Sequence, residues 1–158
     1  MPLPSKKLTV QEAIIKARTF CNYRERCHRE LKDKLYAWGL WTKDVDHVIT
    51  QMIEENLLNE SRYAESYARG HFYQKRWGKL KIRMELKARG LNDTLIKIAM
   101  REIDEKDYQE TIAYLIDKKL NGLKGNKYEK QQKVARYLSQ KGYQYNEFGK
   151  ILTEKIGN

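Results

Sequence analysis

Apolar residues recur at intervals of three and four along nearly the whole chain, the spacing that lines one face of an α-helix. Ala13, Ile14, Ala17 and Phe20 form the first such stripe, and Val45, Val48, Ile49 and Met52 another. Later stripes run through Tyr63, Ala64, Tyr67, Ala68 and Phe72, through Leu95, Ile96, Ala99, Met100 and Ile103, and through Ile112, Leu115, Ile116 and Leu120. Both prolines lie in the first four residues and β-branched alternation is scarce, so the fold class predicted is all-α. Helix starts are marked too. Thr9-Val10-Gln11-Glu12 has the spacing of a capping box, and Thr42, Asn59 and Asn92 stand where caps are expected. A second helix is predicted from about Arg24 to Trp38, and a third round of helices opens near Asp107.

The stripes fall into a repeat. Leu31-x3-Leu35-x3-Gly39-Leu40, Ile82-x3-Leu86-x3-Gly90-Leu91 and Val134-x3-Leu138-x3-Gly142-Tyr143 share one frame, with glycines 51 and 52 residues apart. Six, nine and ten positions after each glycine stand Val45, Val48 and Ile49; Ile96, Ala99 and Met100; Phe148, Ile151 and Leu152. Helices this short need neighbours to bury their stripes. The reading is three tandem three-helix, helix-turn-helix-like repeats in an elongated, curved array. Residues 1–8 are expected as a flexible leader, with repeats over 9–55, 56–104 and 105–158. Each glycine permits the left-handed cap that turns the chain.

Charge narrows the function. The formal net charge is +11, and it is uneven. Ten basic residues face eight acidic ones in 1–55, eleven face six in 56–104, and eleven face seven in 105–158. A polyanion or an acidic protein surface is the expected partner. No apolar run is long enough for a membrane span, no secretory signal pattern opens the chain, and a cytoplasmic protein is expected. Cys21 and Cys27 make no disulfide framework, and Cys27 beside His28 lacks the further ligands of a metal site. There is no P-loop, and His28, His47 and His71 match no Ser or Cys nucleophile. A non-enzyme without cofactor is the expectation.

The steepest positive segment is Lys75, Arg76, Lys79, Lys81, Arg83, Lys87 and Arg89, read as one basic helix with Arg76, Lys79 and Arg83 on a single row. Arg24, Arg26 and Arg29 hold the equivalent place in the first repeat. Lys118 and Lys119, followed by Lys124, Lys127, Lys130 and Lys133, approach it in the third. These are the candidate partner- and DNA-binding residues, with a solvated helix face as the plain alternative. Arg62 and Glu85 read as structural. Tyr23, Tyr36, Trp38, Trp41, Tyr73 and Trp77 read as packing between units rather than base-stacking platforms.

Several stretches carry a family pattern: Arg24-x-Arg26-Cys27-x2-Glu30-Leu31-x3-Leu35-x3-Gly39, Leu57-Leu58-Asn59-Glu60-x-Arg62-Tyr63-Ala64, Gly78-x3-Ile82-x2-Glu85-Leu86-x2-Arg89-Gly90-Leu91 and Tyr137-Leu138-x2-Lys141-Gly142-Tyr143. Over roughly residues 9–156 the chain resembles the RecX family, regulators of the RecA recombinase. It departs in Cys27, where a small hydroxyl residue is usual, in Asn59-Glu60 for an acidic pair, and in Asn56 where Gly is common. The resemblance implies tandem three-helix units that lie in the groove of the RecA–DNA filament and suppress its ATPase and strand exchange, in recombination and DNA repair. Single- and double-stranded DNA would then be bound without sequence preference. The competing reading is a plain nucleic-acid-binding protein using the same basic face.

Overall fold

The computed structural model describes residues 7–157. Among them the chain forms helices and no strand: α1 (Val10–Tyr23), α2 (His28–Ala37), α3 (Thr42–Glu54), α4 (Glu60–Tyr73), α5 (Lys79–Ala88), α6 (Asp93–Met100), α7 (Glu105–Leu120), α8 (Lys127–Lys141) and α9 (Tyr145–Gly157). The all-α, repeated three-helix fold therefore stands. No helix among the described residues is long and apolar enough to cross a membrane. Most of the expected leader lies outside the described residues. Leu8, however, donates its N–H to the Trp38 carbonyl at 3.1 Å and packs on the first core.

Caps decide where the helices begin. Thr9 and Glu12 form the reciprocal capping box, and the side chains of Asn59 and Asn92 accept from Arg62 and Leu95 N–H. Thr42 caps nothing. It is the first residue of α3 after Trp41, and its hydroxyl accepts from Tyr36. Asp104, one turn before the expected Asp107, caps α7. Helix α2 starts only at His28, because Glu30 folds back onto the Cys27 N–H and leaves Arg24–Cys27 as an extended link.

The three glycines end their helices identically. Gly39, Gly90 and Gly142 sit at φ +89°, +87° and +100°. Each donates to the carbonyl three residues back, and the next residue donates to the carbonyl five residues before it: Leu35, Leu86 and Leu138. That is the Schellman arrangement, with its apolar partner in the buried Leu40, Leu91 and Tyr143. Asn56, at φ +58°, closes α3 by the same bonds, and Arg62 holds its side-chain and backbone oxygens.

Two cores result. Ala13, Ala17, Leu31, Leu35, Val45, Val48, Met52 and Leu58 form the core of α1–α3. A second core runs unbroken through α4–α9, joining Phe72, Ile82 and Leu86 to Ile112, Ile116, Val134, Leu138 and Phe148. The first helix triplet meets the second mainly through polar contacts. Arg62 pairs with Glu25 at 3.1 Å, the His28 N–H donates to Glu60, and Arg29 donates to the Ala88 carbonyl. Cys27 enters the second core beside them.

Candidate polyanion-binding seam

Helix α5 does not begin at Lys75. Lys75–Gly78 is a turn in which Arg76 adopts φ +57°, and its N–H and that of Trp77 close α4 on the Phe72 and His71 carbonyls. The chain then runs straight into the end of α8. Gly78 N–H donates to the Lys141 carbonyl at 2.7 Å and Leu80 N–H to the Gly142 carbonyl at 3.1 Å. A Cβ on Gly78 would stand 2.2 Å from Gly142 backbone, so only glycine allows this approach. Tyr143 donates its hydroxyl to the Arg76 carbonyl, while Tyr108 accepts from Lys79 N–H and donates to Glu147. The basic segment is thus the seam between the second and third helix triplets.

This arrangement corrects the single-row picture. Arg76 precedes α5 and points elsewhere, its guanidinium 4.7 Å from the centre of the Tyr114 ring. Lys79 is largely covered and pairs with Glu105 at 3.0 Å. Arg83 contacts Gln144, Lys87 faces Asp93, and Arg89 pairs with Glu85 while lying over Tyr67. In the first repeat, Arg24 is held by Glu30. Arg26 is buried, donates to the Phe20 carbonyl and stacks on the Phe20 ring. Arg26 is left only 8% exposed, whereas Arg29 donates to the Ala88 carbonyl while staying exposed. Their sequence spacing could not separate these supporting roles from binding.

Six further cations gather. Lys75, Arg76, Lys81, Lys118, Lys119 and Lys141 make no ion pair among the described residues. They cluster instead around three rings: Lys75 and Lys81 over Trp77, Arg76 and Lys118 over Tyr114, Lys119 and Lys141 over Tyr137. Partial burial, then the charges of Lys81, Arg76 and Lys118, pull the Lys141 ammonium below the ordinary lysine range. Like charges are therefore held close without an ion pair among the described residues, each on the negative face of a ring, while Asp107 and Glu110 line the hollow beside Arg76 and Tyr114. Lys141, Tyr114 and Tyr137 are missing from the residues singled out by charge density. The one signal for Lys141 is its place directly before Gly142 in the third frame.

Family models for the second and third three-helix domains of RecX match residues 59–100 and 105–152. A regulatory protein RecX of Vibrio campbellii is 30% identical over 151 residues, covering 96% of this chain and 94% of that protein. One from Pseudomonas savastanoi pv. phaseolicola is 34% identical over 135 residues, covering 85% and 86%. The match to the Clostridium perfringens protein, 32% identical over 136 residues, covers 84% of this chain but only 63% of that relative's length. The crystal structure of RecX from Lactobacillus salivarius superposes with a TM-score of 0.83 at 25% identity, over 92% of this chain and 95% of the other. The repeat, its caps and these relationships agree: the chain belongs to the RecX family of regulatory proteins.

Proposed function

We propose that the protein binds RecA and its DNA filament and restrains ATP hydrolysis and strand exchange without catalysing a reaction itself. The observation that carries this reading is the seam of six unpaired cations around Trp77, Tyr114 and Tyr137. Such a surface favours phosphates along a strand, because each contact releases condensed counterions, and rings of this kind accept bases without regard to sequence. Family membership supplies the recombinase as the protein partner. Cytoplasmic action follows from that partner. Within this reading the repeats 9–55, 56–104 and 105–158 divide the work, the last two sharing the DNA-facing seam.

The test is RecA-catalysed ATP hydrolysis on single-stranded DNA, with the protein added far below the amount that coats the DNA. Inhibition at such ratios is expected. Inhibition that appears only at DNA saturation would mean simple competition for DNA, and the recombinase-specific reading would be abandoned.

A further inference from the structure

A second feature lies on α4 toward the first helix triplet and shares Lys75 with the seam. A cavity of about 170 Å³ opens between the α1–α2 link and one face of α4, with Arg24, Ser66, Gly70, His71, Gln74 and Lys75 in its wall. That is below the roughly 300–1,000 Å³ of a pocket for a drug-sized ligand, so it suits a single flat ring. Gly70 lies in the interior of α4, where glycine weakens a helix relative to alanine. Its backbone is not left-handed, and a Cβ built on it would meet nothing within 4 Å. Neither conformation nor packing demands glycine there. What its missing side chain preserves is the open space of the cavity.

The wall has the chemistry of a nucleotide site. His71 stacks on Tyr67 with ring centroids 3.7 Å apart and lies 4.5 Å from Trp77, its Nδ1 fixed on the Tyr67 carbonyl. Burial, with Lys75 and Arg89 nearby, holds its pKa below the ordinary histidine value against the opposing bond to the Tyr67 carbonyl. Ser66 and Gln74 offer groups that both donate and accept, as a base edge requires. The Glu25 carboxylate in the wall is already bound by Arg62. Glu30 holds Arg24 in place, whereas Lys75 has no ion pair among the described residues. We propose that this cavity binds one nucleotide, its base beside Gly70 and its phosphate at Lys75. The proposal rests on the polyanion reading above for its phosphate contact, and gives that reading a second, base-holding site.

The experiment uses the full chain and two variants, Gly70→Ala and Gly70→Leu, with Lys81 and Lys118 together reversed to Glu as the seam control. Probes are AMP and a labelled single strand of about eight nucleotides, within the 4–16 nucleotides such surfaces occupy. Both Gly70 variants should melt at or above the parent temperature. Gly70→Leu should weaken binding about 5- to 150-fold, the range for losing one stacked base. Loss on the strand with no AMP binding identifies a base of the strand as the occupant, and AMP binding that Gly70→Leu abolishes identifies a free nucleotide. A folded Gly70→Leu that binds both probes like the parent overturns the pocket. So does a Gly70→Ala that melts lower, which would make the glycine structural. Should Gly70→Leu not fold, Gly70→Ala combined with Gln74→Ala decides by the same readings. If the seam variant loses strand binding while the Gly70 variants do not, only the pocket fails. If neither loses it, the nucleic-acid reading fails with it.

Discussion

Gly142→Ala should be far more costly than Gly90→Ala, although both glycines end a helix at the same point of the repeat. At Gly90, φ +87°, a new Cβ meets only the tip of the Arg29 guanidinium, 3.3 Å away. That side chain can give, so the cost is the left-handed strain alone, about 1–2 kcal/mol. At Gly142, φ +100°, the Cβ would fall 2.3 Å from Lys81 Cβ, 2.8 Å from Lys81 N and 3.0 Å from the Gly78 carbonyl oxygen. Two of these are backbone atoms held by the Gly78 and Leu80 hydrogen bonds. Forcing the seam apart adds roughly 1–3 kcal/mol of overpacking, for a total of about 2–5 kcal/mol. Urea denaturation followed by circular dichroism reads the difference. Equal losses at Gly90 and Gly142 would refute the close backbone approach of α5 and α8, and with it the geometry that brings Lys81 to Lys141.

Two further outcomes follow from the seam. Arg76→Gly should leave stability nearly unchanged, since relief of the left-handed backbone, about 1 kcal/mol, offsets loss of the Tyr114 contact, about 0.5–1 kcal/mol. Its affinity for single strands should still fall, as melting and fluorescence anisotropy will show. Lys141 is burdened by burial and by its cationic neighbours, so its folded-state pKa lies below its unfolded one. The unfolded chain then binds more protons in the alkaline window beneath the ordinary lysine pKa, and stability should rise with pH through that window. Lys141→Met should flatten the rise, and NMR titration should show the Lys141 pKa climbing when a strand binds. A bound strand that leaves it unmoved would place the polyanion elsewhere.

The apolar stripes and the glycine frame were legible because they are local: a period of three and four, and a residue that tolerates positive φ. Asn56 shows the limit, since its left-handed turn is stabilised by Arg62 from the next helix. The basic cluster was legible as charge but not as geometry. Linear spacing put Arg76, Lys79 and Arg83 on one row. The α4–α5 turn at Arg76 and the docking of Gly78 on Gly142 both depend on contacts more than sixty residues away. Nor does a count of basic residues distinguish Arg26, which stacks on Phe20 inside the first repeat, from Lys81, which meets no carboxylate. Pairing sorts the cations, and pairing is a property of the fold.

Clustered like charges normally separate, and here the architecture prevents it. The second and third triplets share one core, with Phe72, Tyr108 and Tyr143 in ring contact across their boundary. The bonds of Gly78 and Leu80 to the α8 turn tie the backbones as well. The backbones that carry Lys81 and Lys141 are therefore fixed side by side. In the proposed polyanion complex, phosphates would relieve that repulsion, and the fixed backbones leave less ordering to be done on binding. The first triplet is joined differently, by Arg62–Glu25, His28–Glu60 and Arg29 on Ala88. Of these only Arg62–Glu25 is a standing ion pair, and a partly exposed pair contributes little and weakens with salt. The fixed seam thus suits the proposed contact with a strand, and the junction beside Gly70 suits the proposed contact with a single base.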